Sequence, residues 1–227
     1  SGMALGPHII LGHCTVKREQ PRIRPLRRRA GHTGLLHMPD ILVVYYSRHG
    51  ATAALARQVV RGIESVSGAS ARLRTVPELV PSSAATDAAV PADGPPYATH
   101  DELRDCDGLV LGSPTRFGNM AAPLKHFLDG TGALWLNGAL DRKPAGVCTS
   151  TSTMHGGQEA TLLSMMIPLL HHGMYLVGLP YTAEALNRTR SGGTPYGASH
   201  VSGRDRRPEL TEDERESYYS RARHIAS

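Results

Sequence analysis

Ile41-Leu42-Val43-Val44-Tyr45-Tyr46-Ser47-Arg48-His49-Gly50-Ala51-Thr52 is the stretch from which the rest of the chain is read. Its first half is apolar and aromatic without alternation, the pattern of a strand buried on both faces. A short polar turn follows, with hydroxyls at Ser47 and Thr52 and a glycine at Gly50. Leu55, Val59, Ile63 and Val66 then fall on one face of a helix. A strand, a small-residue turn and a helix start bring backbone N–H groups and the helix dipole to one spot, which suits an anion. The turn is not Gly-x-Gly-x-x-Gly, so a dinucleotide pyrophosphate is a poor match. No Lys-Ser/Thr pair follows Gly50, so it is not a Walker A loop either. Its hydroxyls suit a single terminal phosphate. Taken alone, the stretch reads equally well as an ordinary strand-to-helix turn.

A chain of 227 residues, 40% hydrophobic and 20% charged, suits one soluble domain with a sizeable core. No run of about 18 apolar residues is present, which predicts no membrane span. Ile9-Ile10-Leu11 is too short for the apolar core of a signal peptide, and the Arg-rich run follows it. The cysteines, Cys14, Cys106 and Cys148, are odd in number and widely spaced. That argues against a disulfide framework or a metal site and for a reducing compartment, the cytoplasm.

The net charge of +5 is unevenly placed. Residues 1–37 hold seven basic residues and one acid, and the other 190 hold 18 basic and 19 acidic residues. A basic segment can touch nucleic acid or an anionic membrane. Here Ser1-Gly2-Met3 reads as a tag-cleavage scar and Met38 stands just ahead of the first strand. Residues 1–37 are therefore expected to be a basic N-terminal extension without catalytic role, and 38–227 the working domain. A mitochondrial-type leader is a lesser option, because the segment is Arg-rich but lacks a clear amphipathic helix.

Further along, Ser70 to Val76 alternates as an edge strand would. Pro77 to Pro96 is rich in Pro, Ala and Ser and reads as a long loop. Thr99 to Asp105 suggests one or two helical turns. Gly108 to Ser113 is a short apolar strand, Pro114 to Asn119 a loop, and Pro123 to Asp129 a helix with proline in its first turn. Ala145 to Thr149 is a fourth strand and Ser150 to Gly157 a polar, glycine-containing loop. Glu159 to His172 is helical with Pro168 inside it, which is expected to kink it. Met174 to Val177 is a fifth strand and Gly178 to Ser202 a long insertion. Thr211-Glu212-Asp213-Glu214 is a capping box that opens a last helix. This alternation predicts an α/β fold, a doubly wound five-stranded parallel sheet with helices on both faces. Ligands of such sheets bind at the carboxyl ends of the strands. Three loops rich in Ser, Thr and Gly follow strand ends, at 47–52, 113–119 and 150–157.

At Gly112-Ser113-Pro114-Thr115-Arg116-Phe117-Gly118-Asn119-Met120-Ala121-Ala122 the sequence resembles the WrbA-type flavoproteins, FMN-dependent NAD(P)H:quinone oxidoreductases of flavodoxin-like fold. His155-Gly156-Gly157-Gln158-Glu159, His171-His172-Gly173-Met174, Gly192 to Ser199 and Tyr219 to His224 carry the same likeness, which spans about Met38 to Ala226. The resemblance implies FMN as cofactor, with its phosphate held by Ser47, Arg48, His49, Gly50, Ala51 and Thr52. It places Pro114, Thr115, Arg116 and Phe117 beside the isoalloxazine ring. Thr151, Ser152, Thr153, Met154, His155 and Gly156 close over it, and His171 reaches it from another protomer. Trp135 and His49 form the place where nicotinamide and quinone stack. It further implies a homotetramer, a dimer of dimers, whose pockets are completed across subunits.

Taken without the resemblance, Trp135 reads as a core residue; core is the lesser alternative for Phe117, which lies in a loop at a strand end, and Arg48 reads at least as well as a side chain pointing to solvent. The family commonly has Tyr where His49 stands, and a histidine there makes substrate handling pH-sensitive. No catalytic acid or base is implied, since the flavin carries the chemistry: hydride in from NADH or NADPH, two electrons out to a quinone, in ping-pong order. The alternative is a flavodoxin-like FMN electron carrier without pyridine-nucleotide activity, against which the 178–203 insertion, Trp135 and His171-His172 argue. Repressor or DNA binding has no helix-turn-helix signal to support it, so no nucleic-acid partner is expected.

Overall fold

The computed structural model describes residues 38–79, 91 and 93–226. The basic segment 1–37 and the middle of the loop predicted for 77–96 lie outside the described residues. In chain order the elements are β1 (Asp40–Tyr45), α1 (Ala51–Glu64), β2 (Ser70–Thr75), α2 (His100–Asp105), β3 (Gly108–Pro114), α3 (Ala122–Asp129) and α4 (Gly132–Leu136). They continue with β4 (Pro144–Thr151), α5 (Gln158–His171), β5 (Tyr175–Leu176), α6 (Glu184–Arg188), β6 (Ala198–Val201) and α7 (Glu212–Ala226).

The strands pair in the order β2-β1-β3-β4-β5, all parallel. Because side chains alternate across a strand, the unbroken apolar run of β1 serves two cores. Leu42, Val44 and Tyr46 join Leu109, Leu111 and Val147 under α3 and α5, through Leu124, Leu128, Leu162, Met165 and Leu169. Ile41, Val43 and Tyr45 join Val110 and Cys148 under α1 and α7, through Leu55, Val59, Ile63, Tyr218, Ala222 and Ile225. Two buried faces are what the missing alternation predicted. The alternating strand β2 lies at the edge, half-buried at every residue. The doubly wound α/β fold with helices on both faces is thus as expected. α1 and α7 approach closely at Gly62, where an added Cβ would stand 2.6 Å from the Ala222 Cβ.

Among the described residues the sheet has a sixth strand that the sequence reading left inside the insertion. The place beside β4 is shared between two short strands. β5 pairs with Pro144 and Ala145, and β6 pairs with Cys148 to Thr151. The chain between them leaves the sheet and returns. In the gap the buried guanidinium of Arg221, from α7, takes the place of a strand. Its Nη1 donates to the Val147 carbonyl at 2.8 Å and the Tyr196 carbonyl at 3.2 Å, and its Nη2 to the Val177 carbonyl at 2.7 Å. This satisfies carbonyls that a broken strand would otherwise leave buried without donors. Trp135, expected in a loop, lies in the short helix α4. α5 runs through Pro168 without interruption. The capping box at Thr211 is present: Thr211 N–H donates to Glu214 and Glu214 N–H donates to the Thr211 hydroxyl.

Candidate active site

The order β2-β1-β3 reverses direction between β1 and β3, and there a cleft of about 470 Å³ opens at the carboxyl ends of the strands. Ser47, Arg48, His49, Ala51 and Thr52 line it from the turn after β1. Gly50, with φ of 90°, turns the chain into α1 and makes no side-chain cap. The first-turn N–H groups of α1 therefore emerge without an intrahelical acceptor, on the positive end of the helix dipole. The Ser47 Oγ accepts the Gly50 N–H at 3.2 Å and so holds the turn.

Pro114, Thr115 and Arg116 form the second wall, after β3. The buried Ser113 ties this loop down, its Oγ accepting the Ala121 N–H at 2.8 Å. Arg116 and Asn119 exchange backbone hydrogen bonds of 2.7 and 3.0 Å. The two residues between them, Phe117 at φ 53° and Gly118 at φ 77°, are both left-handed, as in a type I′ turn. A left-handed phenylalanine stores strain, which is found where function demands a particular loop shape.

Ser150, Thr151 and Ser152 form the third wall, at the end of β4. The Ser150 hydroxyl meets the Thr52 hydroxyl at 2.9 Å, and its carbonyl accepts the Thr115 N–H at 2.9 Å. The loop returns to α5 through Gly157, at φ 92°, where an added Cβ would lie 3.3 Å from the Gly118 Cα. Beyond β6 a fourth segment adds Ser202 and Arg206. Ser202 is fixed by its N–H and Oγ, which donate to the Thr151 carbonyl at 2.8 and 3.0 Å.

Arg48, Arg116 and Arg206 all border the cleft, whose lining holds no Asp or Glu. Partial desolvation, then the charges of Arg206, Arg48 and Arg116, hold the pKa of His49 below its ordinary value. The buried cysteines take no part. Burial pushes the Cys106 thiol up to about 11 and the Cys148 thiol up to about 12, so neither is an available thiolate.

The three predicted loops thus converge, but some residues expected in the cleft do not line it. Phe117 is fully exposed at the tip of its turn and is not among the residues that line the cleft. Thr153, Met154 and His155 are exposed in the loop beyond Ser152, and Gly156 is half-buried there. Trp135 and His171 lie together, the indole Nε1 donating to the His171 carbonyl at 2.9 Å. They sit at the C-terminal end of α5, a helix about 20 Å long at the helical rise per residue, and neither lines the cleft of its own chain. Ser150, Ser202 and Arg206 went unrecognised. The rule that ligands meet strand carboxyl ends would have found the latter two, had β6 been read as a strand.

A family model described as NADPH-dependent FMN reductase matches residues 39–185. The chain belongs to this family. It is 44% identical over 194 residues to an NAD(P)H dehydrogenase (quinone) of Solidesulfovibrio magneticus, covering 82% of this chain and 96% of that protein. It is 43% identical over 194 residues to the protein of the same name from Geotalea daltonii, covering 82% and 95%. A solved WrbA-like flavodoxin from Agrobacterium tumefaciens shares the fold, with a TM-score of 0.59 at 20% identity over 83% of this chain and 95% of that one. The likeness drawn from the loop motifs is borne out by these relatives of the FMN reductase family.

Proposed function

We propose that this member of the FMN reductase family reduces quinones to hydroquinones with NADH or NADPH, through FMN held in the cleft. The observation that carries the reading is the uncapped start of α1, which opens into a cleft lined by hydroxyls and arginines and by no acid. A phosphate dianion fits such a donor set: backbone N–H groups of α1 and the hydroxyls of Ser47 and Thr52 would hold it. Thr115, Arg116 and Ser152 would border the ring system, and His49 with Arg48 the entry above it. The residues fit FMN better than a dinucleotide, whose pyrophosphate needs a longer glycine loop. Bound there, FMN would supply the two-electron redox chemistry that links oxidation of the nicotinamide nucleotide to reduction of the quinone, in ping-pong order. The protein orients both partners and shields the site.

Trp135 and His171 do not line their own cleft, so a role for them in a pocket would come through a second copy. α5 supports that assembly, presenting Leu163, Ile167 and Leu170 to solvent near Trp135 and Leu136, all at least 43% exposed. A contiguous apolar patch of this kind marks an interface, and a homotetramer formed as a dimer of dimers accommodates it. The basic segment 1–37 lies outside this scheme and is proposed to be dispensable for turnover. Among the described residues no helix is long and apolar enough to cross a membrane. The free cysteines Cys106 and Cys148 and the need for NAD(P)H are in keeping with the cytoplasm.

Mixing the yellow holoprotein with NADH or NADPH without oxygen tests the activity. Bleaching by either nucleotide, reversed by benzoquinone, is the expected result. Flavin that stays oxidised with both nucleotides would leave an electron carrier instead.

A further inference from the structure

His200 and Glu214 form a buried pair outside the cleft, with 2% and 0% of their side chains exposed. His200 lies on β6, two residues before Ser202. Its Nδ1 stands 2.9 Å from the Glu214 carboxylate and its Nε2 2.8 Å from the Arg207 carbonyl. A carbonyl only accepts, and a carboxylate only accepts when ionised. Glu214 is surrounded by donors: the N–H groups of Gly192 and Thr211 at 2.9 Å each, and the Ser191 hydroxyl at 3.0 Å. It is therefore ionised, and both histidine nitrogens must carry protons to make both bonds. Burial pulls the imidazole pKa down, but the bonds to Glu214 and Arg207 outweigh this and hold it above its ordinary value.

The imidazolium grips the turn that completes the cleft. Arg207 closes that turn, its N–H donating to the Ser202 carbonyl at 2.8 Å, and Arg206 within it is left-handed at φ 56°. Such a backbone persists only when its surroundings hold it. We propose that His200 is a positioning residue which, as an imidazolium clamped between Glu214 and the Arg207 carbonyl, holds Ser202 and Arg206 against the flavin phosphate. This rests on the reading that the cleft holds FMN.

When the proton leaves for solvent, the neutral ring has one N–H for two acceptors. It keeps the charge-assisted bond to Glu214, and the Arg207 carbonyl loses its donor. The other charged group acting on His200 is Glu209, just ahead of α7. Tyr218 and Arg221 lie further along α7, where Tyr218 feels Glu214. β4 presents Ser150 in register, and the buried face of α1 carries no titratable group. A histidine whose folded pKa is raised contributes its stabilisation fully below about pH 6.5 and loses it as the pH climbs through the raised value.

The test is FMN dissociation from the holoprotein, read by recovered flavin fluorescence on dilution between pH 6.5 and 9. The phosphate, whose second pKa is about 6, only gains negative charge over this range, which works against a rising dissociation constant, and the pKa of His49 is held below its ordinary value. The dissociation constant should rise about five- to tenfold across the range, the order of one lost ordinary hydrogen bond. H200Q should bind FMN more weakly at pH 6.5 and show no such rise, whereas a merely structural role would weaken binding equally at every pH. A flat wild-type profile, or a variant that keeps the wild-type profile, overturns the proposal. Protein that takes no FMN at any pH overturns the reading of the cleft itself. Imidazole nitrogen shifts of the wild-type protein give a readout free of both flavin and variant: a neutral tautomer of His200 at pH 6.5 refutes the clamp alone.

Discussion

The hydroxyls of Thr52, in the first turn of α1, and Ser150, near the end of β4, meet at 2.9 Å in the floor of the cleft, both buried. This contact ties the proposed phosphate turn to the strand whose loop forms the third wall. Replacing Thr52 by Val leaves the Ser150 hydroxyl buried without this partner, a penalty of about 1–3 kcal/mol. T52V is expected to lower the melting temperature and weaken FMN about tenfold. Calorimetry and flavin titration check this, and unchanged FMN affinity would remove Thr52 from the site.

Phe117 sets loop strain against function. Glycine adopts its φ of 53° freely, and the phenylalanine ring buries nothing within one chain. F117G should therefore stabilise the flavin-free protein by about 1 kcal/mol. The same change should slow quinone turnover, because the exposed ring is then no longer available to cover bound flavin. Thermal melts and steady-state rates give the two signs, and loss of stability would contradict the strain argument.

Gly62 is where α1 and α7 touch. An alanine there must push against the Ala222 Cβ and the Tyr219 backbone, an overpacking penalty of about 1–3 kcal/mol. G62A should lower the denaturation midpoint while flavin affinity stays as in the wild type, since the contact is remote from the cleft. A variant as stable as wild type would mean that the two helices can separate without cost.

His49 makes the turnover profile informative. Its pKa is held below the ordinary value of about 6.5 by partial desolvation and by Arg206, Arg48 and Arg116. Any inflection in kcat/KM that belongs to His49 should fall below that pH and vanish in H49Y. An inflection above pH 7 that H49Y abolishes would contradict the assignment.

Much of the architecture was legible because its signals are local. The unbroken apolar run of β1 announced a strand covered on both faces, and the spacing of Leu55, Val59 and Ile63 gave the buried face of α1. The alternation of β2 placed it at the edge. Thr211 and Glu214 marked the last helix through their capping chemistry, but nothing local showed that Glu214 also holds His200. β6 escaped notice because its four residues pair with β4 only after the chain has left the sheet and returned, and Arg221 fills the gap from a distant helix. Ser202 and Arg206 were lost with it. Aromatic character did not reveal that Phe117 would stand exposed in a left-handed turn. Trp135 and His171 were assigned to a pocket completed by a neighbouring protomer, and within one chain they indeed lie outside the cleft.

The central claim, that the uncapped start of α1 holds the phosphate of FMN, is tested most directly by comparing FMN with riboflavin, which differs from it only in lacking that phosphate. The account predicts FMN binding tighter by on the order of a hundredfold or more at neutral pH, from several charge-assisted hydrogen bonds. Equal affinities for the two flavins would contradict it.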